Sequence, residues 1–145
     1  MLLEAGADPR LGDRRHGWTA LHLGVIHDQI ESVREILRRR PGDQEVLEAA
    51  SVTGVRPLLG ASASRNPAMA AALLDAGADI NAGDENGITA LRQAVQNSDL
   101  TVIKLLLSRS ARTDVPSKDG LSLLDTARLL EKDEIIECLR SHSAK

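Results

Sequence analysis

Gly54, Gly87 and Gly120 stand 33 residues apart, and Leu58, Leu91 and Leu124 keep the same interval. Leu74 with Leu107, and Ala78 with Ala111, repeat it again. A fixed period of this length limits the fold more than any other feature of the chain. Each period is one supersecondary unit that cannot bury its apolar face alone, so neighbouring units must stack. Upstream, Gly17 and Leu21 take the same parts 37 residues before Gly54 and Leu58, so that interval holds an insertion of 37 − 33 = 4 residues. Gly6-Ala7-Asp8 matches Gly77-Ala78-Asp79.

Within a period the apolar residues fall at helical spacing. Ala90, Leu91, Ala94 and Val95 mark one helix, and Leu100, Ile103, Leu106 and Leu107 mark a second. Thr89 is placed to cap the first, and Ser98 or Asp99 to start the second. The pattern predicts pairs of helices of about ten to twelve residues each, too short to be stable in isolation. Composition agrees with close helix packing. Hydrophobic residues make up 42% of the chain, yet there is one Trp and no Phe or Tyr. The core must therefore be built from Leu, Ile, Val and Ala.

These residues resemble the ankyrin-repeat family. The stretches are GWTALHLG from Gly17, LLDAGADINAGDENGITALRQA from Leu73 and LLLSRSARTDVPSKDG from Leu105. The resemblance implies an all-α solenoid of stacked helix-turn-helix units, with β-turn or hairpin fingers projecting from one side. It covers nearly the whole chain, read as a single domain over 1–145. The units fall at about 14–50, 51–83, 84–116 and 117–145, after a half repeat at 1–13. That half repeat and the polar end DEIIECLRSHSAK lead to the expectation that the chain is the C-terminal part of a longer array. Departures from the family pattern are specific. Pro57 keeps the family's proline, whereas Ala20, Ala90 and Leu123 replace it. His22 keeps the family's histidine, whereas Leu59, Arg92 and Asp125 replace it. Arg38 to Thr53 is the poorest match. There Pro41-Gly42 breaks the chain, Asp43 can cap, and Glu45 to Ala50 is expected to add a helical turn and remodel the finger.

Several residue groups suggest chemistry, and each has a structural alternative. The loop Gly77 to Gly87 has glycines and acids, but no strand precedes it and no Lys-Ser/Thr follows, as a phosphate loop requires. Its acids also lack the closing Glu of a calcium loop. It reads as a turn in which Gly77 ends a helix and Asp79 and Asn81 bond turn backbone. His22 and His27 are five residues apart, about 140° around a helix, and so do not share a face as zinc ligands should. In the family a histidine at the position of His22 bonds neighbouring turn groups. Ser62, in Gly60 to Ser64, lacks the strand of a nucleophile elbow, which leaves a small hydrolase as a remote reading. Arg34 with Arg38-Arg39-Arg40 reads as a solvated helix end, the alternative being contact with an acidic partner or import receptor. Cys138, the single cysteine, reads as a small half-buried hydrophobe. Neither a disulfide framework nor a cysteine-rich metal site is available to it. Trp18 is either a contact residue or a structural one that packs on His16 or shields the exposed edge of the repeat.

Function is expected to be non-catalytic binding of a protein or peptide on a concave face. The alternative is a scaffold segment that positions a fused domain. By position in the family, the contact residues are Arg15, His16, Trp18, Ile26 and His27 in the first unit, then Val52, Thr53 and Val55 with Ala63 and Ser64. Glu85, Asn86, Ile88, Gln96 and Asn97 follow, and the last unit supplies Lys118, Asp119, Leu121 and Leu130. No cofactor or metal is expected. Net charge is −3 with acids and bases interspersed in both halves, so nucleic acid is not expected either. The longest apolar run, Ala68 to Leu74, is too short to span a membrane. A monomer in the cytoplasm, with the nucleus as the alternative location, completes the expectation.

Overall fold

The computed structural model describes residues 12–143, with side chains through His142. The half repeat proposed at 1–13 lies, apart from Gly12 and Asp13, outside the described residues. Four helix pairs follow one another: α1 (Ala20–Ile26) with α2 (Ile30–Arg39), then α4 (Pro57–Ala63) with α5 (Pro67–Asp75). The third is α6 (Ala90–Gln96) with α7 (Leu100–Ser108), and the fourth α8 (Leu123–Leu129) with α9 (Asp133–Ser143). A short helix α3 (Gln44–Leu47) is inserted after α2. The first helices α1, α4, α6 and α8 pack in one row, and α2, α5, α7 and α9 in another. This is an all-α solenoid, with no named strand among the described residues.

The first helices are shorter than the sequence suggests, at seven residues each. Their starts are fixed by side-chain caps at Thr19, Thr89 and Ser122, and by Pro57 in the first turn of α4. Their ends are fixed by a left-handed residue in each connection: Asp28, Arg65, Ser98 and Glu131, all with φ of 55–56°. A left-handed residue cannot continue a right-handed helix. The second helices α5 and α7 start from Asn66 and Asp99 caps, whose side chains accept from Met69 N (3.0 Å) and Val102 N (3.2 Å).

One core runs through the stack. The row Gly24, Ala61, Ala94 and Ala127 keeps the first helices close, since every member is buried and small. Leu21, Leu58 and Leu91 form the next row, and Ile36, Leu73, Leu106 and Leu139 are their partners on the second helices. All four of the latter are essentially without solvent contact. The absence of Phe and Tyr is accommodated because the rows approach on small residues and aliphatics fill what remains.

The irregular stretch differs from expectation in an informative way. Asp43 does cap the extra turn, accepting from Glu45 N at 3.1 Å, but that turn spans Gln44–Leu47. Its Val46 and Leu47 are buried in the common core. The finger that follows is intact rather than remodelled: Ser51 N donates to Val55 O (2.9 Å), and Gly54 N to Ser51 O (2.9 Å). Glu48 returns the chain to register. Its Oε1 accepts from Asp79 N at 2.7 Å, as Asn81 Oδ1 accepts from Arg112 N at 2.8 Å one unit later. Asn81 thus bonds the next unit, while Asp79 serves its own turn by accepting from Asn81 N at 2.9 Å.

Gly77 has φ +103° where α5 ends, as expected from the sequence, which makes the loop a turn. Gly87 is more tightly constrained. Its φ is +76°, and a Cβ there would lie 2.9 Å from Pro116 O and 3.2 Å from Ser117 Cα. Gly120 has nearly the same φ, +75°, with nothing within 4 Å of its Cβ position. Gly87→Ala is therefore expected to cost about 2–3 kcal/mol, and Gly120→Ala about 1 kcal/mol, the left-handed strain alone. Urea unfolding of both variants checks this, since equal costs would mean that the contact between fingers is soft.

Candidate functional site

The fingers are built from one polar device. In the third, Asp84 Oδ1 accepts from Asn86 N (2.8 Å) and Ile88 N (3.0 Å), while Asp84 N donates to Ile88 O (3.0 Å). In the second, Ser51 Oγ accepts from Thr53 N (3.2 Å) and Val55 N (3.1 Å). In the first, Asp13 Oδ1 accepts from His16 N (2.8 Å) and Trp18 N (2.9 Å). The fourth uses Asp119, which accepts from Leu121 N at 2.9 Å and from the Ser117 hydroxyl. Each finger closes on its own amides, which fixes the backbone of its tip. Two neighbouring pairs of fingers are also joined: Val52 N donates to His16 O (2.8 Å), first to second, and Lys118 N to Asn86 O (3.0 Å), third to fourth. Gly83 and Thr89 pair as an isolated antiparallel bridge at the base of the third.

These bonds hold Asp13 in its charged form. The Trp18 amide, then the His16 side chain, lower its pKa to about 2. The Ser117 hydroxyl and then the Leu121 amide likewise lower that of Asp119.

His22 locks the first unit to the second. Its Nε2 donates to Val55 O at 2.9 Å, and Nδ1 accepts from the Thr19 hydroxyl at 2.9 Å. Burial pushes the His22 pKa below the usual histidine value, against the opposing effect of Val55 O. The unfolded chain therefore binds the proton more readily than the folded one. Stability from His22 is fully present above about pH 6.5 and is lost as pH falls below it. The Tm is expected to fall between about pH 7 and 5. His22→Gln, which keeps a donor but cannot titrate, should flatten that slope. A variant with the parental slope would reassign it to another group.

The structure distributes the contact candidates along one side. Arg15, His16, Val52, Thr53, Glu85, Asn86, Lys118 and Asp119 lie at the finger tips, all exposed except the half-buried His16. Trp18, Val55, Ile88 and Leu121 lie half-buried just behind. Ile26, His27, Ala63, Ser64, Gln96, Asn97 and Leu130 lie at the ends of the first helices. Trp18 stacks on His16, ring centroids 4.7 Å apart at 25°. Asn97 already has an internal role, because its Nδ2 donates to Ser62 O (3.2 Å) and Ala63 O (3.3 Å). Leu129, absent from the sequence-based set, is 72% exposed next to Leu130 at 37%. With Ile26 (41%) and Val52 (63%), it supplies large apolar side chains in a polar surround.

The other candidates take structural places. Arg34 pairs with Glu31 at 3.0 Å, Arg38 and Arg39 pair with Glu35, and Arg40 lies 3.7 Å from Asp43. Ser62 is fully buried, and its hydroxyl has no hydrogen-bond partner, so no substrate can reach it. Cys138 is half-buried against the core. Among the described residues no group of three or more His, Cys, Asp or Glu could hold a metal, and no helix is long and apolar enough to cross a membrane.

A family model described as "Ankyrin repeats (many copies)" matches residues 58–107. Among curated proteins, the chain is similar to "B-cell lymphoma 3 protein homolog" of Mus musculus, at 33% identity over 88% of this chain and 28% of that one. It is similar to "E3 ubiquitin-protein ligase KEG" of Arabidopsis thaliana at 33% over 96% of this chain and 9% of that one. For "Ankyrin repeat and SOCS box protein 6" of Mus musculus the figures are 36%, 68% and 23%. The chain thus spans less than a third of the length of each of these relatives.

Proposed function

Because the chain belongs to the ankyrin-repeat family, whose repeats are generally protein-interaction modules, we propose that it is a non-catalytic binding module. It would hold a partner protein or peptide against the finger tips and the exposed ends of the first helices. The observation that carries this reading is the row of self-closed fingers, joined first to second and third to fourth, beside exposed Ile26, Val52, Leu129 and Leu130. Tips fixed in advance lose little freedom on binding, so contact energy is not spent on ordering them. Apolar side chains among polar ones match the composition of protein interfaces. The small share of each relative's length that the chain covers also favours a second reading, a segment that positions other parts of a longer protein.

Affinity capture with surface variants separates the two. Ile26→Glu with Val52→Glu should abolish capture of a specific partner, whereas Lys104→Glu, exposed on α7, should leave it unchanged. Capture unaffected by the paired change would remove the finger side as the binding face. Asn97→Ala is unsuited as a surface probe, because it would also break the bonds to α4.

A further inference from the structure

Charge is unevenly ordered along the finger row. The first tip presents Arg14 and Arg15, both exposed, with no ion pair to either among the described residues. The carboxylate of Asp13 beside them is already bonded to the amides of its own turn and to His16. The second tip is uncharged and apolar, with Val52 63% exposed and Thr53 next to it. The third tip carries Glu85, exposed, directly after Asp84. In the fourth, Lys118 and Asp119 are adjacent and balance. The order is therefore cationic, apolar, anionic, then balanced.

We propose that this row docks an extended peptide segment with an acidic cluster at one end, a basic cluster at the other and an apolar side chain between them. The acidic end lies over Arg14 and Arg15, the apolar group on Val52, and the basic end over Glu85, since the Asp84 carboxylate, like that of Asp13, is bonded to its own turn. Helices packed in a row are about 8–10 Å apart, so two units advance the row by about 20 Å. An extended chain rises about 3.3 Å per residue, which sets the two charged clusters about six residues apart. Unlike charges facing each other fix the register and direction of the segment, and like charges reject the reverse placement. The proposal rests on the finger side being the binding face, and adds which chemistry it selects.

The test uses two fluorescein-labelled peptides of identical composition and the full chain, read by fluorescence anisotropy at low salt. One peptide has paired glutamates and paired lysines about six residues apart around a leucine. The other alternates its charges. The separated peptide is expected to bind about tenfold more tightly, which corresponds to about 1.4 kcal/mol. Arg14→Glu with Arg15→Glu should weaken it at least about fivefold and should abolish the preference between peptides. Circular dichroism of that variant should match the parent, since both side chains are exposed. Equal affinities, no binding of either peptide, or binding indifferent to the arginine changes would each overturn the proposal. The capture experiment with Ile26 and Val52 uses neither peptide nor arginine, so the two readings fail separately.

Discussion

Leu106→Ala is expected to destabilise the chain by about 3 kcal/mol and to lower its Tm by about 10 °C. Leu106 lies in the last turn of α7, with no solvent contact, among Leu73, Leu139 and their neighbours. Removing its isobutyl group costs the transfer of those atoms and leaves a cavity that rigid helix rows can only partly close. Because each unit is stable only through its neighbours, a defect in a central unit weakens both adjoining seams. Leu129→Ala is the control: the same atoms are deleted from a side chain that is 72% exposed, and the change should stay within about 0.5 kcal/mol. Thermal unfolding of both variants measures the contrast. Similar losses for the two would mean that the apolar rows are not the main source of stability.

Arg92→Ala is expected to cost about 3 kcal/mol, although it removes a charged residue. Arg92 is 2% exposed and bridges the third unit to the fourth. It donates to Leu121 O (2.8 Å), Val115 O (3.2 Å) and the Thr126 hydroxyl (3.2 Å). It occupies the position that His22 has in the first unit, and both reach the carbonyl that follows a finger-tip glycine, Val55 O and Leu121 O respectively. Truncation would leave those carbonyls without their donor and open a cavity the size of a long side chain. Arg92→Met should cost less, about 1 kcal/mol, since it fills the volume and removes a buried cation whose Nε has no partner. Denaturant titration of both variants decides the matter. If Met is as costly as Ala, the hydrogen bonds outweigh the packing.

Arg92 also shows where sequence reading stops. The 33-residue spacing places it in the histidine column, but its partners come from residues 23 to 34 positions away, and only the folded stack brings them together. The same spacing did contain the finger device in two units, since Ser51 and Asp84 are 33 apart, whereas the fourth finger moves the acceptor to Asp119. The signal was obscured because a hydroxyl and a carboxylate are interchangeable acceptors in such a turn while looking unlike in sequence. Glu48 was hidden in the same way, standing 33 residues before Asn81 and doing the same work. The helix lengths were overestimated because Asp28, Arg65, Ser98 and Glu131 adopt left-handed conformations without the glycine that normally announces one. The stacking and the core rows were legible throughout, because burial repeats with the apolar pattern. The proposed contact surface rests on position alone, since nothing in the period dictates what a finger tip carries.

Hydrogen–deuterium exchange on the chain with and without its captured partner tests the central claim most directly. A protein held on the finger side should slow exchange in 14–18, 51–55, 84–88 and 117–121 and at the ends of α1, α4, α6 and α8, with α2, α5 and α7 unchanged. Slowed exchange confined to α2, α5 and α7, with the four fingers exchanging as in the free chain, would contradict the account.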